Sequence, residues 1–189
     1  MKSDLLEDLL AYDDPNHISQ ISRDFYQQQK AQGKLPIGSF GEIAADKEVN
    51  TIKDLVAHIQ PLTTLPLDDQ EVRLRFTFPH GEMELQGWLK QRYQAGMLRY
   101  RGGKIRSHEI LATWIDHLCL CAMGQQQFTH LFGTDAIYHF ETIEKEKAYQ
   151  ELETILSLYI SGNCAPLAYL PKAALAGLEA HVDKKRCVE

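Results

Sequence analysis

GWLKQRYQAGMLRYRGG, residues 87–103, is the stretch on which the reading of this chain turns. Lys90, Arg92, Arg99, Arg101, Lys104 and Arg106 fall between Leu85 and Ser107 with no carboxylate among them. The chain as a whole carries −6, so this is a local concentration of positive charge. Strand side chains alternate between faces, which puts Trp88, Lys90 and Arg92 on one side and Met97, Arg99 and Arg101 on one side. A tight turn at Gln94-Ala95-Gly96 would fold the two sets onto one face of a hairpin. Like charges opposed across strands repel, so such a face requires solvent, acidic neighbours or an anionic partner.

Outward from the hairpin the chain alternates on both sides. Upstream, Val72, Leu74, Phe76 and Phe78 alternate with Glu71, Arg73, Arg75 and Thr77, a half-buried strand. Pro79-His80-Gly81 turns the chain, and Met83, Leu85, Gly87 and Leu89 alternate again. A third strand is expected over 97–102, completing a meander. Downstream, Ser107 is expected to cap a helix burying Ile110, Leu111, Trp114, Ile115, Leu118 and Ala122 and ending at Gly124. Two short strands follow, about 127–132 and 136–140, joined at Gly133-Thr134-Asp135. A helix is expected over about 143–161, with Leu152, Ile155, Leu156, Tyr159 and Ile160 inward and Gly162 as its stop. Pro171 opens a last helix that fades into the C-terminal residues.

The first third reads as helical. Leu5, Leu6, Leu9 and Leu10 are in register over 2–11, Asp13-Asp14-Pro15 breaks the run, and a second helix covers 17–31 up to Gly33. LPIGSFGE at 35–42 is a compact loop in which Ser39 and Glu42 have capping-box spacing. The helix after it carries Ile52, Leu55, Val56 and Ile59 in one stripe, and 61–70 is a loop. The division expected is a helical lead-in, 1–62, and a core, 63–189. The fold class is α/β (α+β), a mixed sheet flanked by helices.

Composition bounds the function. A chain of 189 residues, 44% hydrophobic, can bury a sizeable core. No apolar run is long enough to cross a bilayer, and MKSDLLEDLLAYDD is acidic and amphipathic, unlike a signal peptide. A cytoplasmic location with no membrane contact is the expectation. Cys119, Cys121, Cys164 and Cys187 have no regular spacing, so a disulfide framework is not expected. A pI near 5.7 argues against indiscriminate nucleic-acid binding but leaves room for one basic patch.

Helix, three antiparallel strands, helix, strand is the core order of PD-(D/E)XK nucleases, which this sequence resembles with its chemistry removed. Lys90 follows Gly87-Trp88-Leu89 where that frame has its first acid. Arg99 stands at the second acid and Arg101 at the lysine. In the active frame two carboxylates hold a divalent metal that activates water; cations repel that metal. GKLPIGSFGE at 33–42, LQGWL at 85–89, GMLRYR at 96–101, WIDHLCLCAMG at 114–124 and APLAYLPKAALAGLE at 165–179 together resemble the C-terminal region of the exonuclease V gamma subunit (RecC) family. The resemblance runs over roughly 5–179. Family members are much longer, so it implies a fragment.

The resemblance implies a restriction-endonuclease-like core with catalytic residues absent and no metal or cofactor of its own. Mg²⁺ and ATP would be used by partner subunits. It implies a scaffold and DNA-path role inside RecBCD, with RecB, RecD and duplex and single-stranded DNA as partners. Trp88, Lys90, Arg92, Arg99, Arg101, Lys104 and Arg106 are the candidate DNA or partner contacts.

Plainer readings stand beside these. The six cations are equally well a solvated face pairing with Glu82, Glu84 and Glu109. Those same three acids could be a relocated metal site, making the domain an active nuclease. A pure protein-interaction module without DNA contact is the other alternative. Trp88 could stack a base, with ordinary packing the plainer reading. His117, Cys119 and Cys121 suggest metal ligands on paper. On a helix, however, Cys119 points away from the other two, which favours a core role. Ser39 has no histidine neighbour and reads as a cap.

Overall fold

Three helices and a small sheet build the first of two compact units, which comprises Met1–Asp68, Gln91–Ile105 and His130–His139; the second comprises Asp69–Lys90, Arg106–Thr129 and Phe140–Glu189. The computed structural model describes residues 2–11, 15–36, 38–168, 170, 173–177 and 180. Of the expected break at Asp13-Asp14-Pro15, Asp13 and Asp14 lie outside those residues, as do Pro171 and Cys187.

In the first unit α1 (Lys2–Ala11) and α2 (Pro15–Ala31) pack on α3 (Ser39–Ile59). The leucine register of α1 closes as the sequence requires, with Leu5, Leu6 and Leu9 all buried. They meet Phe25 of α2 and the stripe Val49, Ile52, Leu55, Val56 and Ile59 of α3. Each such side chain, fully buried, contributes roughly 1.5–3 kcal/mol. Gly33, at φ 64, lets the chain leave α2, and Lys34 N–H closes the end on the Gln29 carbonyl at 3.1 Å.

LPIGSFGE folds differently from the capping box expected of it. The residue before α3 is Gly38, at φ 75, and Ser39 is already the first helical residue, so its hydroxyl has no capping bond. Gly38 supplies a backbone turn that a residue with a Cβ rarely adopts. Gly41 is required for a separate reason: a Cβ there would collide with the Pro36 carbonyl.

The strands form two sheets. β1 (Gln70–Phe78) and β2 (Gly81–Leu89) pair antiparallel from Gln70↔Leu89 to Phe78↔Gly81, as a two-stranded sheet. β3 (Arg92–Tyr93), β4 (Gly96–Tyr100), β5 (Thr129–Phe132) and β6 (Ile137–Phe140) form a four-stranded sheet in that order. The expected meander is therefore not formed: the third strand joins β3 and β5 and not β2. The physical break is at Gln91, the described non-glycine residue with positive φ (55), where alternation stops. A two-residue turn, Gln94-Ala95, then connects the paired Tyr93 and Gly96. Arg101 N–H donates to Phe132 O at 2.9 Å, tying β4 to β5.

In the second unit Val72, Leu74 and Phe76 of β1 are buried, and Phe76 stacks on Tyr149 of α5 (Lys145–Cys164) at 4.4 Å. α4 (Ser107–Ala122) packs along α5. Its start is shifted from the expectation: Arg106 is the N-cap, and its N–H donates to the Glu109 carboxylate at 2.7 Å. Its buried face is also different. Thr113 and all of His117 to Ala122 are buried, whereas Leu111 is exposed and Ile110, Trp114 and Ile115 are half-buried. A helix apolar all round is enclosed on every side, and HLCLCA is such a stretch. α5 runs through Gly162 to Cys164, past the expected stop. Of its expected inward face, Leu152 is buried, Ile155, Leu156 and Ile160 are half-buried and Tyr159 is exposed.

Candidate functional site

The six cations are divided between the two units. Lys90, just past β2, and Arg106, before α4, belong to the second and are exposed. Arg92, Arg99, Arg101 and Lys104 belong to the first. Arg92 opens β3 and is buried, 8% exposed, with one guanidinium nitrogen donating to the Asp68 carbonyl at 3.1 Å. Its task is to fasten the 61–70 loop, which also bonds through Leu67 N–H to Arg92 O and Gln94 N–H to Leu65 O. Arg99 is half-buried and folds back on the Leu98 carbonyl at 2.9 Å. Arg101 is half-buried and Lys104 exposed. Met97 and Leu98, on opposite faces of β4, are both fully buried. The open cationic hairpin face expected from alternation is not formed, because β4 is covered on both sides.

The outer face of the β1–β2 pair is the open one. Across it Arg75 opposes Glu84, Arg73 opposes Gln86 and Glu71 opposes Trp88. Arg75 reaches Glu84 at 3.4 Å and Arg73 reaches Glu71 at 2.7 Å. The amide of Gln86 and the Arg75 guanidinium together hold the Glu84 carboxyl below the usual carboxylate range. Trp88 stands on this face 60% exposed, so the packing role expected for it is not what the structure shows. Of the three acids considered as a relocated metal set, Glu84 faces an arginine and Glu109 caps α4. Among the described residues no group of three His, Cys, Asp or Glu side chains is placed to hold a metal ion.

His117, Cys119 and Cys121 are core residues. His117 is fully buried; Nδ1 meets Thr129 Oγ1 and Nε2 meets Glu141 O, both at 2.9 Å. A carbonyl only accepts, so Nε2 carries the proton and Nδ1 accepts from the threonine hydroxyl. Burial lowers the affinity of His117 for a second proton. Trp114 stacks on it at 5.6 Å, Phe140 lies 5.9 Å from it, and the two aromatic rings are themselves 5.8 Å apart, so the three form one cluster. Burial pushes the Cys119 thiol up to about 12 and raises Cys121 as well, which leaves both inert at neutral pH.

Alternation and helical periodicity missed the exposed apolar surfaces. Phe40 and Ile43, 74% and 64% exposed, stand one turn apart at the start of α3, inside the LPIGSFGE motif and just after it. Leu158 and Tyr159 of α5 are exposed as well and, with Leu111, Ile155, Leu167 and Ala168, line a groove of about 510 Å³ in the second unit. Leu167 folds back over Gly162, where a Cβ would touch it at 3.0 Å. The signal was present in the motif itself: Phe40 stands between Gly38 and Gly41, both fixed by backbone demands, and is itself exposed.

Fold and site together define a mixed α/β domain whose cationic segment is shared between two sheets and whose exposed surface includes apolar patches. The family model of the RecC C-terminal domain matches residues 1–182, and the chain belongs to that family. It is similar to the RecBCD enzyme subunit RecC of Escherichia coli (strain K12), 27% identical over 184 residues, 95% of this chain and 15% of the relative. The RecBCD enzyme subunit RecC of Buchnera aphidicola subsp. Acyrthosiphon pisum (strain APS) is 25% identical over 175 residues, 92% of this chain and 16% of the relative. The chain thus spans about one-sixth of the length of the curated relatives it matches. No helix among the described residues is long and apolar enough to cross a membrane.

Proposed function

We propose that this domain is a non-catalytic, nuclease-like scaffold of a RecC subunit, working inside a RecBCD-type complex that unwinds and degrades duplex DNA ends. What supports the reading is the sequence: matched to the nuclease pattern, Lys90, Arg99 and Arg101 stand where that pattern has two acids and a lysine, a correspondence of sequence, since β2 and β4 belong to different sheets. In that frame the divalent metal that activates water is held by converging carboxylates. The carboxylates nearest in sequence have other work: Glu84 with Arg75 and Gln86, Glu109 at the N-terminus of α4. In this reading Mg²⁺ and ATP serve partner subunits, and RecB, RecD and DNA are the partners.

The DNA-path element of the proposal rests on the exposed members of the set, Lys90, Lys104 and Arg106, with Trp88 available to stack on a base. Arg92 has a structural duty instead. A second reading, protein docking without DNA contact, is favoured by the exposed Phe40, Ile43, Leu158 and Tyr159, since apolar patches of this kind mark interaction surfaces. Charge reversal at Lys90, Lys104 and Arg106 in the assembled complex separates the two. The DNA-path reading expects weaker and less salt-dependent DNA binding with assembly intact. Lost subunit association with unchanged DNA binding by whatever complex forms would replace it with docking.

A further inference from the structure

Two histidines with no part in the reading above face one another across the β5–β6 hairpin of the first unit. Gly133 N–H closes the hairpin on Ala136 O at 3.0 Å, and His130 and His139 lie equally far from that turn. Their Nδ1 atoms are 2.6 Å apart, the rings edge-on with centroids separated by 4.9 Å. His130 is half-buried and lies 6.2 Å from Phe132; His139 is exposed. The His130 ring makes a second hydrogen bond to the backbone of Ala95, and that bond favours its protonated form. This is the sense of a ring N–H donated to a carbonyl.

That arrangement is the one metal-ligating histidines use. A backbone carbonyl holds one ring N–H, fixes the tautomer and aims the other nitrogen's lone pair. Burial and the neighbouring His139 keep His130 below the usual imidazole range, so at neutral pH the lone pair is available. His139 faces water; moving its proton to Nε2 gives up the Nδ1–H···Nδ1 bond to His130, which the metal would replace. Both Nδ1 lone pairs then converge on one point. Zinc–nitrogen bonds of about 2.0–2.1 Å at a tetrahedral angle need nitrogens roughly 3.3 Å apart, a small outward turn of the exposed ring.

We propose that His130 and His139 form a two-imidazole site for a borderline transition-metal dication such as Zn²⁺, with water in the remaining positions. Imidazole suits Zn²⁺, Ni²⁺ and Cu²⁺ and not the hard Mg²⁺, so the site is separate from nuclease chemistry and independent of the function proposed above. With two protein ligands it is an open, exchangeable site and not a closed structural one. Occupied, it clamps β5 to β6.

The test is a ZnCl₂ titration of the full chain, with Cys164 and any other reactive thiol alkylated beforehand, followed through ¹⁵N-imidazole resonances and by calorimetry. The expected result is one Zn²⁺ per chain, shifts confined to His130 and His139, and no shift with excess MgCl₂. Binding falls as pH falls, because protons compete for the same lone pairs. His139→Asn lowers affinity about tenfold or more with the melting temperature in EDTA unchanged, whereas His80→Asn, on the exposed β1–β2 turn, leaves it unaltered. Zn²⁺ that leaves the paired resonances in place, or shifts all exposed histidines alike, overturns the proposal. So does undiminished affinity in His139→Asn. The wild-type spectrum decides the matter even if a variant unfolds.

Discussion

β2 leads into the basic segment and β4 lies within it, and the two strands end in different environments. β2 pairs with β1 alone and keeps an open outer face carrying Glu82, Glu84, Gln86 and Trp88. β4 lies between β3 and β5, with Met97 and Leu98 fully buried on its two faces. Alternation is the signature of a strand with one wet face, so it describes β2 well. GMLRY is a short run with adjacent apolar residues, Met97 and Leu98, and one cation, Arg99, a pattern consistent with a strand covered on both sides. Charge density along a sequence therefore does not measure charge density on a surface: the same segment yields exposed Lys90 and buried Arg92 two residues apart.

That contrast can be broken most sharply at Leu98. Leu98→Ala removes a fully buried side chain from the core of the first unit and is expected to cost about 2–5 kcal/mol in urea unfolding. Trp88→Ala, on the open face of β2, is expected to change stability by less than about 1 kcal/mol. Equal costs for the two would erase the distinction. The paired cations come next. Arg92→Met removes the charge-assisted hydrogen bond to the Asp68 carbonyl and is expected to cost about 1–3 kcal/mol, while Lys90→Met stays within roughly 0.5 kcal/mol.

A smaller effect, graded with pH, tests the enclosed half of α4. His117 is buried neutral, so its folded pKa lies below the ordinary value of 6.5. Below pH 6.5 the unfolded chain takes up a proton that the fold resists. Stability is therefore complete above that pH and is lost as pH falls toward the folded pKa. The contribution of His117 is at most about 1.4 kcal/mol per pH unit, read from urea midpoints at stepped pH. His117→Asn should flatten that slope. The smallest change is expected at Arg75→Gln: its partner Glu84 is at the surface, and thermal melting should barely move.

The helical part of the fold was legible because it is written locally. The leucines of α1 and the Ile52 to Ile59 stripe of α3 need only a 3.6-residue period to be recognised, and both are buried as that period requires. The three-strand meander was not legible, because pairing partners are chosen by tertiary contact and Gln91 carries no turn signature. The ends of α3 and α4 were misplaced by one residue each, since Gly38 and Arg106 cap where Ser39 and Ser107 have the better cap chemistry. The outward turn of Tyr159 was illegible for the opposite reason. An apolar stripe shows that something is to be covered but not what covers it. The histidine pair has no sequence motif at all: residues nine apart meet only because a hairpin opposes them.

The central claim is that cations occupy the places of a nuclease's acids, and hydrolysis tests it most directly. The measurement is duplex DNA cleavage in Mg²⁺ or Mn²⁺ by the complex proposed above, with any nuclease of its other subunits inactivated by mutation. No cleavage above background is predicted, with or without Glu82→Ala and Glu84→Ala in this domain. Metal-dependent cutting that persists in the complex and disappears with those two substitutions would contradict it.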